Sequence, residues 1–255
     1  MIALPDDLKS FLKETGEISR FAFRFFKEGF RPRYEVEEFI HQCFVIGYKS
    51  LPLVGLTAFI IGLVLTMQLR PTMVNYGVEV QIPAMVGIAI IREIGPIVTA
   101  LIFAGKIGSS IGAELGSMKV TEQIDAMEVS GTNPFKYLVV TRTLAATLML
   151  PILVIIADAI ALYGSYLGVN LYEDITLNLF FKKVLDYLMY IDVIPAFIKT
   201  YFFGFAVGIV GCFKGYYSNK GTEGVGHSAN SSVVVSSVLI FILDLIAVQI
   251  ADLFM

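Results

Sequence analysis

The sequence predicts an all-α integral membrane protein with about five transmembrane helices, on three observations. The hydrophobic fraction is 56% and the charged fraction is only 16%, whereas soluble domains have about 25% charged residues. The apolar residues lie in runs that are too long for a soluble core. The length of 255 residues accommodates one bundle of about five spans of roughly 20 residues each, with their connections.

The first segment, residues 6–29, is expected to lie in the membrane interface as an amphipathic helix. Its basic and apolar side chains follow different faces at intervals of one or two helical turns, which favours an interfacial helix over an ordinary soluble one. The basic residues are Lys9, Lys13, Arg20, Arg24 and Lys27, and the apolar ones are Phe11, Ile18, Phe21 and Phe25. The opening residues lack the apolar region of a signal peptide, so no cleaved leader is expected.

Five apolar runs are predicted to cross the membrane. They are residues 51–70, 83–113, 137–168, 195–213 and 233–254. The second and third runs exceed the roughly 20 residues that a crossing needs, so they should tilt or protrude. Residues 169–194 carry too many charges to cross, and their apolar spacing predicts a helix on the outer surface.

The distribution of lysine and arginine predicts the orientation. Eight of the 19 basic residues precede the first span. The 114–136 and 214–232 connections carry further lysines, whereas the opposite connections are mainly acidic. The positive-inside rule therefore places the N-terminus in the cytoplasm and the C-terminus outside.

Few residues suggest catalysis or metal binding. The segment that ends at Lys106 mimics part of a phosphate-binding loop, but it lacks the leading glycine and the hydroxyl after the lysine. His41 and His227 have no partner at a useful spacing. Cys43 and Cys212 lie far apart and are expected to be buried thiols without a disulfide. We expect no catalytic residue, no metal site and no nucleic-acid partner.

Small residues recur every four positions in the second span, at Ala104, Gly108, Gly112 and Gly116. Such a face allows another helix to approach closely. We interpret the three glycines as helix-packing residues, which makes the second span central in the bundle.

Ionisable residues inside the predicted spans are costly and often functional. They are Arg92, Glu93, Lys106, Asp158, Lys199 and Asp244. Adjacent residues on a helix point about 100° apart, so Arg92 and Glu93 each need a separate partner or water. Interhelical pairing explains Asp158 and Asp244 as well as a function does. A water-filled or headgroup-binding cavity is the better explanation for Arg92, Glu93 and Lys199.

The connection between the second and third spans predicts a short amphipathic helix at about 117–130. Its apolar face is Val120, Ile124 and Met127, and its acidic stripe is Glu122, Asp125 and Glu128. Gly131 and Asn133-Pro134 end the helix. The pattern alone leaves two interpretations open, a solvated surface helix and a docking helix for a cytoplasmic partner.

Residues 91–142 resemble the MlaE (YrbE-type) permeases, which are membrane subunits of ABC transporters that move phospholipids between the membranes of diderm bacteria. The similarity is most specific in AELGSMKVTEQIDAMEVSG and KYLVVTR. It continues through 197–208 and 221–244, and covers about 80–255 in all.

This resemblance implies a homodimer in the bacterial inner membrane, two cytoplasmic ABC ATPase subunits and a periplasmic ring of MCE-domain proteins. Some members add a small STAS-domain subunit. ATP and Mg would bind the ATPase, and this chain would bind no cofactor. The 117–130 segment would be the coupling helix, which contacts the ATPase through Lys119, Glu122, Gln123, Asp125 and Glu128. Apart from the resemblance, if Arg92, Glu93 and Lys199 line an outward-opening cavity, Arg92 and Lys199 would attract the phospholipid phosphate, and Glu93 would hold the arginine in place or disfavour a fully anionic headgroup. The alternative is a buried ion pair that only locks two helices together.

Two other functions remain to be weighed against a lipid permease. An ion-coupled secondary transporter could use Asp158 or Asp244 as a proton carrier, but no inverted repeat or interrupted span is visible. A purely structural scaffold would not require charges within its spans.

Overall fold

The computed structural model describes residues 6–29, 35–218 and 221–253, and for residues 6–12 and 252 it describes the backbone only. Lys9 and Phe11 of the predicted interfacial helix fall in that backbone-only stretch, and Phe254, the predicted end of the fifth span, lies outside the described residues. The described chain is α-helical with no strand, which confirms the predicted fold class.

Eleven α-helices follow one another along the described residues. They are α1 Asp6–Gly29, α2 Val36–Ile46, α3 Leu51–Asn75, α4 Ile82–Ala89, α5 Gly95–Phe103, α6 Ser109–Val120, α7 Gln123–Val129, α8 Thr141–Asn170, α9 Leu177–Tyr187, α10 Tyr190–Tyr216 and α11 Thr222–Asp252. Three single π-helical turns connect some of these helices. The turn at Ile90–Ile94 joins α4 to α5, the turn at Ala104–Gly108 joins α5 to α6, and the turn at Phe135–Val140 leads into α8.

Five continuous helical runs in the described residues are long and apolar enough to cross a membrane. They are Val36–Asn75, Glu79–Val120, Phe135–Asn170, Tyr190–Tyr216 and Thr222–Ala251. Each overlaps one predicted span, and the first four extend beyond it at both ends. The extension is largest in the first run, because α2 continues through a 3₁₀ turn into α3.

Successive spans alternate in direction, so the connections lie at two ends of the bundle. One end holds α7, between the second and third spans, and we call it the α7 end. The other end holds α9, between the third and fourth spans, and we call it the α9 end. Thr176 caps the start of α9: its hydroxyl accepts a hydrogen bond from the backbone N–H of Leu179 at 3.4 Å. Its buried Phe180 and Val184 pack against α4, where Gly87 leaves room for Val184.

The first and third spans pack backbone to backbone. A Cβ at Gly62 would overlap the carbonyl oxygen of Ala161, and a Cβ at Gly164 would overlap that of Phe59. One turn further along, the Thr66 hydroxyl donates a hydrogen bond to Ser165 Oγ at 2.8 Å, and both side chains are buried. Our sequence analysis did not identify this α3–α8 contact, which follows the same small-residue rule as the second span.

The predicted small-residue face of the second span packs against α11 of the same chain. A Cβ at Gly112 would lie 3.0 Å from the Ser228 carbonyl oxygen, and one at Gly108 would lie 3.3 Å from Ser232 Oγ. The Ser232 hydroxyl donates a hydrogen bond to the Gly108 carbonyl at 2.9 Å. The close approach is therefore made within one chain, between the second and fifth spans.

The α1 helix lies along the last turns of α10. Phe21 and Phe25 are buried, and the Phe21 ring contacts the rings of Phe135 and Phe213 at centroid distances of 5.0 and 5.5 Å. Phe26 stacks on Phe205 at 5.6 Å. Because Phe205 and Phe213 are eight residues apart, α1 covers about 12 Å of α10.

Candidate functional site

The π-helical turn at Ile90–Ile94 sets the direction of Arg92 and Glu93. Pro96 has no backbone N–H, so it cannot continue the α-helical ladder. The N–H of the preceding residue, Gly95, bonds to the carbonyl of Ile90 five residues back, which forms the wider turn. Such turns rotate the side chains that follow a regular helix and are common at functional sites.

Lys199 joins three spans through its ammonium group. Its Nζ donates hydrogen bonds to Glu93 Oε2 at 2.6 Å and to Asp244 Oδ1 at 2.8 Å. The lysine side chain is 4% exposed and that of Asp244 is 13% exposed, whereas that of Glu93 is 32% exposed. The second, fourth and fifth spans therefore meet at one charged junction near the α9 end.

Arg92 extends this junction to the start of α10. Its Nη1 lies 3.5 Å from Asp192 Oδ1. The same carboxylate accepts a hydrogen bond from the backbone N–H of Met189 at 3.1 Å, so it also caps α10. The Arg92 side chain is 32% exposed. The structure thus assembles the three predicted residues with Asp192 and Asp244, and we name these five the α9-end cluster.

A small recess borders the α9-end cluster. Four of the five members line it, together with apolar residues of α10 and α11 that include Pro195, Ala247 and Val248. Its volume of about 10 Å³ admits roughly one water molecule. In this conformation the ion pairs fill the site, and a larger ligand needs the spans to separate.

Asp158 and Asp244 have different surroundings. Asp244 is paired with Lys199, whereas Asp158 Oδ1 is buried and has no hydrogen-bond partner among the described residues. The Asp158 carboxylate packs directly on Gly95, where a Cβ would overlap it. Lys106, the other charge that we placed inside a span, donates to the carbonyl of Lys49.

The segment predicted as one helix at about 117–130 is divided in two. The α6 helix ends at Val120, Glu122 adopts a left-handed φ of 58°, and α7 runs from Gln123 to Val129. Gly131, with a φ of 80°, follows the end of α7. The break turns α7 away from the direction of the second span.

The two faces of α7 differ as the pattern indicates. Ile124 is 1% exposed and belongs to the core, while the predicted acidic stripe and Gln123 are exposed. Lys119 pairs with Asp125 at 2.7 Å. Val129, at the end of the helix, is 91% exposed. The α7 helix thus presents an acidic surface with one prominent apolar side chain.

A second charge network lies at the α7 end and was missed by our sequence analysis. Arg142 Nη2 donates to Glu114 Oε1 at 2.7 Å, and Nη1 lies 4.0 Å from Glu38 Oε1. Tyr137 and Gln42 also donate to Glu38, at 3.3 and 2.7 Å. The sequence feature that could have indicated this network is Arg142 itself, a charged residue a few positions into the third apolar run.

Comparison with known proteins agrees with this architecture. Residues 39–250 match the family described as Permease MlaE. A probable ABC transporter permease protein of Rickettsia felis is 40% identical over 233 residues, which cover 91% of this chain and 90% of the relative.

Two relatives come from photosynthetic eukaryotes. The probable ABC transporter permease protein ycf63 of Pyropia yezoensis is 35% identical over 240 residues, which cover 94% of this chain and 91% of the relative. The protein TRIGALACTOSYLDIACYLGLYCEROL 1, chloroplastic, of Arabidopsis thaliana is 34% identical over 200 residues, covering 78% of this chain and 57% of the relative. With five apolar helices and a match along most of its length, the chain belongs to the MlaE permease family.

Proposed function

We propose that this chain is the permease subunit of an ATP-driven ABC transporter that moves phospholipid between the bacterial inner membrane and a periplasmic conduit of MCE-domain proteins. Such transport would contribute to the lipid asymmetry of the outer membrane. The observation that carries the proposal is the α9-end cluster, because four ionisable side chains gathered inside apolar spans, with Asp192 at the end of one span, are typical of a substrate pathway. The name of the Arabidopsis relative, which refers to a galactosylated diacylglycerol, supports a lipid substrate.

The geometry suggests how a phosphate would bind. Arg92 is held by Asp192 at 3.5 Å and is one third exposed beside the recess. When the spans separate, a phosphate can replace the Asp192 carboxylate on the planar guanidinium. Exchanging one anion for another avoids the large cost of leaving a charge buried without a partner. Lys199 contributes a second positive charge, and Glu93 limits how much negative charge the site accepts.

In this proposal two copies of the chain form a homodimer that carries two ATPase subunits at the α7 end. ATP and Mg bind those subunits. The α7 end faces the cytoplasm, as does the N-terminus, and the α9 end faces the periplasmic MCE protein. A STAS-domain subunit is compatible with this arrangement. The exposed acidic stripe favours docking over a solvated surface, because acidic residues on a connection placed in the cytoplasm run against the usual basic bias.

Charge reversal on α7 tests the docking. Because like charges at an interface cost several kcal/mol, the double variant Glu122→Lys/Asp125→Lys should release the ATPase while the permease stays folded. The matched control is Asp174→Lys/Asp186→Lys, which reverses two exposed charges near the α9 end. Equal co-purification of the ATPase with both variants would refute the docking of α7.

Purification of the chain with the products of its native operon tests the function as a whole. We expect an ABC ATPase, an MCE-domain protein and phospholipid to co-elute, with lipid transfer that depends on ATP. Transfer driven by a proton gradient without ATP would contradict the proposal.

An ion-coupled transporter is the second candidate, because Asp158 has a buried oxygen without a partner. The variant Asp158→Asn separates the two functions, since an amide keeps the shape of the carboxyl but carries no exchangeable charge. A proton carrier would lose transport in this variant, and an ATP-driven permease would retain it. Asp244 is less suited to carry protons, because it already forms an ion pair with Lys199.

A further inference from the structure

A basic pocket lies at the α7 end, on the opposite side of the bundle from the α9-end cluster. It has a volume of about 470 Å³ and is lined by Glu17, Arg20, Phe21 and Arg24 of α1 and by Phe213 and Tyr217 at the end of α10. Both arginines are exposed, and they stand one helical turn apart on the same face of α1.

Among the described residues, no carboxylate oxygen comes within 4.0 Å of Arg20 or Arg24. Glu17, the acidic residue of the pocket, lies 3.9 Å from Lys13. The lining of the pocket therefore carries two positive charges against the one negative charge of Glu17.

Arg24 is nevertheless held in place. Its guanidinium carbon lies 4.2 Å from the centre of the Phe135 ring, a cation–π contact that leaves the N–H groups at the edge of the guanidinium free for a ligand. Phe135 is fully buried and contacts Phe21, so the arginine rests on a fixed aromatic cluster. Such an arrangement reduces the side-chain entropy that is lost when a ligand binds.

The direction of α1 favours a lipid over a soluble anion. From Phe213 at the pocket, α10 runs about 12 Å to Phe205, which stacks on Phe26 of α1. Phe23 and Phe26 are exposed, 74% and 49% respectively. A molecule with its phosphate at the arginines would find exposed apolar surface beside it on α1, as a phospholipid at the membrane interface requires.

We propose that Arg20 and Arg24 bind the phosphate of an anionic phospholipid from the cytoplasmic leaflet. Two guanidinium groups favour a net negative headgroup over a zwitterionic one. The site rests on the proposed membrane placement of the chain, but it is separate from the α9-end cluster. A lipid bound there contacts, through Arg24 and Phe135, the turn that follows α7.

Native mass spectrometry of the full-length chain in detergent tests the site, with phosphatidylglycerol and phosphatidylcholine as probes. Arg20→Gln and Arg24→Gln should each weaken phosphatidylglycerol binding about tenfold, the loss of one charge-assisted hydrogen bond. Lys27→Gln is the matched control, because it removes one exposed positive charge from the same helix outside the pocket. Arg24→Lys should retain part of the binding.

Four results would overturn the proposal. Lys27→Gln could weaken binding as much as the arginine variants, which would indicate diffuse attraction. Phosphatidylcholine could bind as tightly as phosphatidylglycerol, or inorganic phosphate could displace the lipid. The arginine variants could release the ATPase at unchanged lipid binding, which would assign the surface to that subunit. Phospholipid capture at the α9-end cluster should persist in Arg20→Gln and Arg24→Gln, so failure here is distinguishable from failure of the proposed function.

Discussion

The two buried charge networks lie at opposite ends of the bundle and differ in whether a cation can be reached. At the α7 end, the Arg142 side chain is 4% exposed and is enclosed by Glu114, Glu38 and the carbonyl of Leu138. At the α9 end, Arg92 is 32% exposed and borders a recess. Both networks join several helices by ion pairs, but only one presents a positive charge to a ligand.

The difference shows that ion pairs inside spans do not have one role. A cation that is enclosed on all sides can only hold helices together, since removing a partner leaves a buried charge. A cation that is one third exposed can exchange its carboxylate for another anion. We therefore interpret the Arg142 network as a structural lock and the α9-end cluster as a site that can open.

The largest expected effect concerns the lock. Arg142→Met should lower the free energy of unfolding by about 3–5 kcal/mol, because Glu38, whose side chain is 17% exposed, loses the buried cation, and the bonds to Glu114 and the Leu138 carbonyl are lost with it. The measurement is unfolding of the purified chain in detergent. Arg142→Lys keeps the charge and should be milder. A wild-type stability in Arg142→Met would remove the distinction between the two networks.

Lys199→Met makes the corresponding change at the α9 end. We expect a smaller loss of stability, about 1–3 kcal/mol, because Arg92 remains in the cluster as a second cation. Lipid transfer in the assembled transporter should fall far more than stability does. A loss of stability as large as that of Arg142→Met, with the remaining folded protein fully active, would make this cluster a second lock.

The packing of the second span, which carries members of both networks, gives a further test. Gly112→Leu should destabilise the chain by about 1–3 kcal/mol, because even a Cβ there would lie 3.0 Å from the Ser228 carbonyl oxygen. Gly105→Leu is the control on the same span, since nothing lies within 4 Å of a Cβ at that position. Equal stability of the two variants would place the α6–α11 contact in doubt.

The smallest change in stability is expected for Asp192→Asn. The ion pair with Arg92 is partly exposed and long, so its loss should cost about 0.2–1 kcal/mol, and the amide oxygen still accepts the N–H that caps α10. Phospholipid retention should rise, because the arginine no longer has to give up a carboxylate. Reduced retention at unchanged stability would argue against partner exchange.

The sequence predicted the elements that depend on composition and spacing. The five apolar runs, the buried Ile124 of α7 and the small-residue face of α6 follow from local rules. The side-chain partners of the charged residues could not be predicted, because they depend on which helices pack together. Lys199 could be identified as a costly charge, but its position between Glu93 and Asp244 requires the crossing of three spans.

Two local features also could not be predicted. The break at Glu122 places a non-glycine residue in the left-handed region, which helix propensity does not favour. The π-helical turn at Ile90–Ile94 depends on a bond from Gly95 to Ile90 in place of the usual one to Ile91, and the presence of Pro96 alone does not predict it. Arg142 was overlooked because it is a single charge near the end of an apolar run, where it resembles a residue of the flanking loop.

Photo-crosslinking at the α9-end cluster tests the central claim most directly. A photoreactive residue at position 93 in the assembled transporter, in native membranes, should capture phospholipid, because Arg92 and Lys199 stay in place. The capture at position 93 should fall several-fold when Lys199→Met is added, because a specific site needs the ammonium, whereas random contact with bilayer lipid does not. Protein adducts alone at position 93, or lipid adducts that are indifferent to Lys199, would contradict the assignment of this cluster as the phospholipid site.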